Sequence, residues 1–383
     1  MFMKKVILSF LITIAYGNLL FGQNSLGHIK QNSSFFPIAA WFQSPSNAAA
    51  YKALGINVYV GGCLDQEKLD LLKKSNIKVI ADLNKFGQEH LNDTIIYAWM
   101  QGEEPDNAQL RKNGKGYEPC TDPAIVIKNY EELKKKDPYR PVYLNLGMGV
   151  SNIGWYGRGE CRGRYDMYKV SKNGYLKGCD IASFDIYPVN TSDKAFKDKL
   201  WFVPKGIDSL KVWSDYSKPV WCWIECTRIS QDCPRKPTPS EVKSEVWMAL
   251  IHGANGFGYF CHSLHPSFVE AALLKDQAMT AAIKEINSQV TALAPLLNSP
   301  NTSGYATVTS SNGKVPVDIM TKNYRGADYI FSVAMRNGKT TADFQVKSGK
   351  KVEVIGENRS LKIKKGKFTD EFGPFGVHLY KVK

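Results

Sequence analysis

Between residues 36 and 258, short apolar runs alternate with longer segments in which apolar residues recur at helical spacing. The apolar runs at 36–42, 57–60, 78–82, 95–101, 141–145, 181–187, 219–225 and 256–261 read as strands, because each is short, continuous and rich in β-branched or aromatic residues. Between them, 47–54, 66–74, 124–136, 194–216 and 240–252 read as helices, with Ser240 as a helix start and Glu241 and Glu245 near the positive end of the dipole. Strands alternating with helices predict a parallel sheet built from βα units. Eight strands and no glycine-rich phosphate loop after the first favour a closed (β/α)8 TIM barrel over an open sheet.

After Leu297 the pattern changes. A polar joint at 298–302 leads into runs at 305–309, 316–320, 329–335, 342–346, 352–355, 361–363 and 376–382, separated by Gly, Asn and Lys turns. This predicts a small C-terminal antiparallel β-sandwich at 301–383, following a barrel at 23–297. The sandwich segment offers no catalytic constellation and reads as a packing module or a sugar-binding module.

Composition adds to this outline at three points. Lys4 and Lys5 precede an apolar stretch at 6–21, and the chain turns polar at Gln23, so residues 1–22 read as a signal peptide. No cysteine follows that stretch until Cys63, which argues against a lipoprotein anchor and for a periplasmic or secreted protein with no integral membrane span. The net charge of +14 gathers in the tail, where residues 301–383 hold fifteen Lys and Arg against seven Asp and Glu. A smaller basic cluster lies at Arg158, Arg162 and Arg164, but no recognisable nucleic-acid-binding module accompanies the charge. Eight cysteines in an exported chain can form disulfides; Cys222 and Cys261 sit in apolar strands and read as packed thiols. No Cys/His spacing suits zinc.

The chemistry concentrates at strand ends. Trp99-Met100-Gln101-Gly102-Glu103-Glu104-Pro105-Asp106-Asn107 begins as a buried strand and ends in three carboxylates, and Trp221-Cys222-Trp223-Ile224-Glu225 closes another apolar strand on a single acid. A strand that stops on acids delivers them to a cavity or to solvent. Two such acids are what cleavage of a glycosidic bond requires if the fold brings them together. The long Gly-, Arg- and Tyr-rich connection at 147–179 leaves the end of the fifth strand, where it can shape a cleft.

With these motifs the chain resembles the clan A glycoside hydrolases, retaining enzymes built on (β/α)8 barrels. The resemblance rests on the Glu-Pro after the fourth strand, Asp180-Ile-Ala-Ser-Phe-Asp-Ile-Tyr-Pro188 at the sixth and Trp223-Ile224-Glu225 at the seventh. It implies Glu104 as general acid/base and Glu225 as nucleophile, about 5 Å apart beneath Trp41, Trp99 and Trp223. It requires neither metal nor organic cofactor, and its partner is a carbohydrate substrate. Glu103 stands where many clan members carry an asparagine, and it remains a rival for the acid role. Asn145, Asp185, Tyr187 and His262 complete the expected substrate-binding set, Tyr187 either bonding the nucleophile or packing at the rim. Two further readings stay open: a non-catalytic carbohydrate-binding protein on the same scaffold, and a polysaccharide lyase acting on an acidic glycan through Tyr187 and the arginine loop.

Overall fold

The computed structural model describes residues 33–383 apart from 153, 155–157, 159–160, 162–164, 230, 232 and 234. The signal-peptide segment and Arg162 and Arg164 lie outside the described residues. The chain folds as a closed parallel barrel followed by two antiparallel sheets. The strands are β1 (Ile38–Trp41), β2 (Val58–Cys63), β3 (Lys78–Asp82), β4 (Ile96–Glu103), β5 (Val142–Leu146), β6 (Ile181–Asp185), β7 (Val220–Glu225) and β8 (Gly256–Phe260). Closure is direct: β1 pairs in parallel with both β2 and β8. All eight strands lie where apolar runs predict them, with ends shifted by a residue or a few.

Around the barrel run α1 (Ala48–Ala53), α2 (Gln66–Ser75), α3 (Lys85–Glu89), α4 (Pro123–Lys136), α5 (Phe202–Trp213), α6 (Pro239–Ile251), α7 (Gln277–Ala292) and α8 (Ala294–Leu297). Helix α6 starts before Ser240, because Thr238 caps it reciprocally with Glu241 and Pro239 occupies the first turn. Glu245 is therefore no dipole partner; it is buried against the barrel. Helix α7 had no sequence prediction, although Met279, Ile283, Ile286 and Val290 form its buried stripe and Asp276 caps it. Among the described residues no helix is long and apolar enough to cross a membrane.

Side-chain alternation divides each barrel strand between two cores. Trp41, Met100, Tyr143, Ile181, Trp221 and Trp223 fill the lumen. Ala182, Phe184, Cys222 and Ile224 face the helices. Trp99 also faces outward, where its indole nitrogen donates to Asp137 Oδ2 at 2.8 Å.

The C-terminal strands are β9 (Ala306–Ser310), β10 (Val317–Tyr324), β11 (Ala327–Ala334), β12 (Thr340–Val346), β13 (Lys351–Val354), β14 (Arg359–Lys362), β15 (Lys367–Phe372) and β16 (Val377–Val382). They form sheets in the orders β10-β11-β16-β13-β14 and β15-β12-β9. Phe344 and Phe368 stack between them at 4.5 Å. Strand β15 escaped the sequence pattern because Asp370 occupies its inner face, held by Arg359 and the Tyr380 hydroxyl. The sandwich is fastened to the barrel through α6, where Trp247 stacks on Phe331 and Ser244 Oγ donates to the Phe375 carbonyl.

Candidate active site

Three carboxylates meet where β4 and β6 leave the barrel. Glu103 is the last residue of β4, and its neighbour Glu104 adopts φ +41°, in the left-handed region that side chains other than glycine rarely occupy. That turn is fixed from both sides: Glu104 N–H donates to the Asn145 carbonyl at 3.0 Å, and Asn107 N–H donates to the Glu104 carbonyl at 2.9 Å. Strained backbone held this firmly is a recurrent feature of functional sites. The Glu104 carboxylate, 15 % exposed, accepts from Asn107 Nδ2 at 2.6 Å and lies 3.5 Å from Arg158 Nη2. Arg158 is held in turn by Asn107 Oδ1, which accepts its backbone N–H at 2.8 Å.

Asp185 reaches the same space from β6. It is partly exposed, and Asn145 Nδ2 donates to its Oδ1 at 3.2 Å. Burial of the carboxyl group, then the charge and hydrogen-bonding contact of Glu104 and the charge of Glu103, hold its pKa well above the usual carboxylate range. Glu103 is more open to solvent as a residue, yet its crowded carboxyl is pushed up to about 7, first by desolvation and then by Glu104, with Arg158 opposing. Tyr187 stands beside this group, and burial and the charges of Asp185, Glu104, Glu103 and Glu225 push its hydroxyl pKa upward.

The loops over these acids are braced. Asp106 is buried and serves as a tie: it accepts the Gly147 N–H and the Tyr168 hydroxyl, the latter at 2.8 Å. A disulfide between Cys120 and Cys161 joins the β4–α4 connection to the long β5–β6 connection.

Glu225 takes a different position from the one the sequence suggested. It is wholly inaccessible to solvent, and its oxygens accept Val189 N–H at 2.5 Å, Asn190 N–H at 2.7 Å and Asn190 Nδ2 at 2.6 Å. Asn190 also donates to the Thr227 carbonyl and accepts the Ile229 N–H, so this carboxylate clamps the loop after β6 to the loop after β7. Behind it stands Glu245 of α6, equally buried, whose pKa is driven well upward by burial and by the Glu225 charge. In this arrangement the Glu225 carboxyl, engaged by three N–H donors and closed off from solvent, holds two loops together rather than facing the barrel mouth. This differs from the nucleophile position expected for Glu225: the residue still lies in β7, paired with Phe260, but the loop that follows β6 takes up its oxygens.

The aromatic expectations divide in the same way. Trp41 and Trp223 meet edge to face at 4.6 Å and form the floor of the mouth, Trp223 donating to the Tyr143 hydroxyl at 2.9 Å. Trp99, facing Asp137 behind the strand, cannot touch a ligand in the lumen. His262 is buried, with Nε2 3.1 Å from Gln43 Nε2 and 3.2 Å from the Phe42 carbonyl, and so reads as a wall residue. Around it runs an arc that the sequence did not single out: Tyr187 against Phe260, Phe260 against His262, and His262 against the exposed Phe268. Phe42 and Phe268 escaped the sequence reading, whereas Asn107 and Arg158 lay within the strand-end motif and the arginine loop without being read as partners of Glu104. Among the described residues no group of His, Cys, Asp and Glu is arranged to hold a metal ion.

No family model matches the sequence, and no curated relative matches it. The fold is shared with solved structures. AmyP in complex with maltose superposes with a TM-score of 0.58 at 8% identity, over 92% of this chain and 97% of that one. An α-amylase from Geobacillus thermoleovorans complexed with acarbose gives 0.55 at 10% identity, over 92% and 98%. A putative α-galactosidase/melibiase from Bacteroides fragilis gives 0.54 at 10% identity, over 91% and 79%. At such identities the likeness establishes the barrel with its C-terminal sandwich and leaves the chemistry to be argued from this chain's residues.

Proposed function

We propose that the protein is an exported retaining glycoside hydrolase that cleaves O-glycosidic bonds of a poly- or oligosaccharide, with Glu104 and Asp185 as its catalytic pair. The observation that carries this reading is that Asn145 ties both residues together at the end of the barrel, its carbonyl accepting the Glu104 N–H and its Nδ2 donating to Asp185, with an arc of aromatic rings alongside. Carbohydrate ligands in two proteins of the same fold support the substrate class.

Neighbouring carboxyls resist carrying two negative charges, and burial decides where a proton is kept. Asn107 Nδ2 and Arg158 orient the Glu104 carboxyl, whereas burial, then the nearby Glu104 and Glu103 charges, favour the protonated form of Asp185. Asp185 then donates its proton to the departing glycosidic oxygen while Glu104 attacks the anomeric carbon, forming the ester bond as the C–O bond breaks. Asp185, now ionised, takes a proton from the incoming water, whose oxygen displaces Glu104. Retention follows from the resemblance to the clan A glycoside hydrolases, which are retaining enzymes. Trp41 and Trp223 floor the sugar site, and Tyr187, kept neutral, can donate a hydrogen bond. Glu225 acts at one remove, fixing the loop that follows Tyr187.

Release of reducing sugar from a panel of neutral and acidic polysaccharides tests this, with the anomer of the first product read by proton NMR. The proposal expects hydrolysis with retained configuration on at least one polymer and loss of turnover in Glu104→Gln. An unsaturated product absorbing in the ultraviolet would identify a lyase instead, and binding with no cleavage anywhere in the panel would identify a non-catalytic lectin-like protein.

A further inference from the structure

At the opposite end of the barrel, beneath the first residues of its strands, lies a cavity of about 660 Å³ closed on one side by the joint to the sandwich. Its size suits a small-molecule ligand. Lys78, Lys211 and Lys322 line it, and no lining residue is an aspartate or glutamate. Lys322 is the telling member. It is 3 % exposed, and its ammonium donates to the carbonyls of Leu297, at 2.9 Å, and Ser299. Those carbonyls satisfy hydrogen bonds but supply no counter-charge, and among the described residues Lys322 has no carboxylate ion-pair partner. Burying a cation without a paired anion is costly. Burial of Lys322, and then the positive charge of Lys211 nearby, bring its ammonium down to about 8. The acid that Lys211 senses, Asp208, is already turned to His252. The wall facing these lysines is aromatic, with Phe35 against Tyr97 and Tyr97 against Trp221 at 5.9 and 6.3 Å.

We propose that this floor cavity is a second binding site, specific for a small organic anion whose carboxylate or phosphate group meets Lys211 and Lys322 while its apolar body lies against Tyr97 and Trp221. The anion supplies the counter-charge that the protein omits, and the rings supply the apolar contact. The site is separate from the carboxylates at the barrel mouth, so it stands or falls independently of the hydrolase reading.

Isothermal titration calorimetry of the full chain tests the proposal with 4-nitrobenzoate, 4-nitrophenyl phosphate and, as the uncharged counterpart, 4-nitrobenzamide. The two anion probes distinguish a carboxylate from a phosphate ligand. Saturable binding of at least one anion is expected, with the amide failing to compete. Lys211→Met keeps the alkyl stem and should weaken that binding at least about tenfold, with Lys322→Met agreeing where it folds. Turnover at the mouth should be unaffected in Lys211→Met. The proposal is overturned if neither anion binds saturably, if the amide binds as well as the anions, or if Lys211→Met binds as wild type does.

Discussion

Replacing Glu225 by alanine isolates the clamp that the structure assigns to this residue. The change removes the acceptor for three N–H donors, those of Val189, Asn190 and the Asn190 side chain, all within a fully buried pocket. Each stranded donor costs roughly 1–3 kcal/mol. Relief of Glu245, whose carboxyl is crowded by the Glu225 charge, returns part of that sum. A net loss of about 3–5 kcal/mol follows, a large share of the stability of an ordinary domain. Urea denaturation followed by tryptophan fluorescence reads this loss. Hydrogen exchange locates it: the Val189 and Asn190 amides, protected in the wild type, should exchange quickly in the variant. An unchanged midpoint with both amides still protected would refute the clamp and reopen the case for a mobile, reactive Glu225.

The other predictions concern the acids at the mouth and the loops that carry them. Glu103→Gln removes a like charge beside Asp185, so it should lower the Asp185 pKa. A general acid works only while protonated, so activity is lost as pH rises through that pKa, and the alkaline limb of kcat/KM should move to lower pH in this variant; a limb that stays put or moves upward would contradict the assignment. Cys120→Ser with Cys161→Ser opens a crosslink spanning 41 residues, which a chain-entropy treatment values at about 4 kcal/mol. Thermal unfolding should shift downward by that measure and KM should rise as Arg158 and Asn107 loosen, whereas unchanged values of both would show that the loops are ordered without the crosslink.

The sequence made the barrel legible because each strand is a short apolar run and each intervening segment carries a helical stripe, two periods that local packing preserves. It revealed less where one side chain serves two purposes. Helix α7 has a clear stripe at Met279, Ile283, Ile286 and Val290, but it follows β8 after a long loop with no strand behind it to mark it as the last helix of the alternation. Strand β15 hides its alternation behind Asp370, an inward charge that only Arg359 and Tyr380 make tolerable. The site shows the same division. Glu103, Glu104, Asp185 and Tyr187 were readable as polar residues ending apolar runs. Trp99 was misplaced by the same reasoning, since a tryptophan can serve either face of a strand and Asp137, far along the chain, draws it outward. The surroundings of Glu225 were not legible, because an acid ending an apolar strand looks alike in sequence whether solvent, a sugar or a neighbouring loop receives it. Its true partners, Val189 and Asn190, belong to another strand's exit.

The decisive measurement is kcat/KM of Glu104→Gln, Asp185→Asn and Glu225→Gln on one cleaved polysaccharide, each corrected for the fraction folded. Losing a positioned acid or base costs about 10²–10⁴-fold, so the first two variants should fall by at least that range while Glu225→Gln stays within about tenfold of the wild type. A folded Glu225→Gln without turnover, beside an active Asp185→Asn, would contradict the pairing of Glu104 with Asp185.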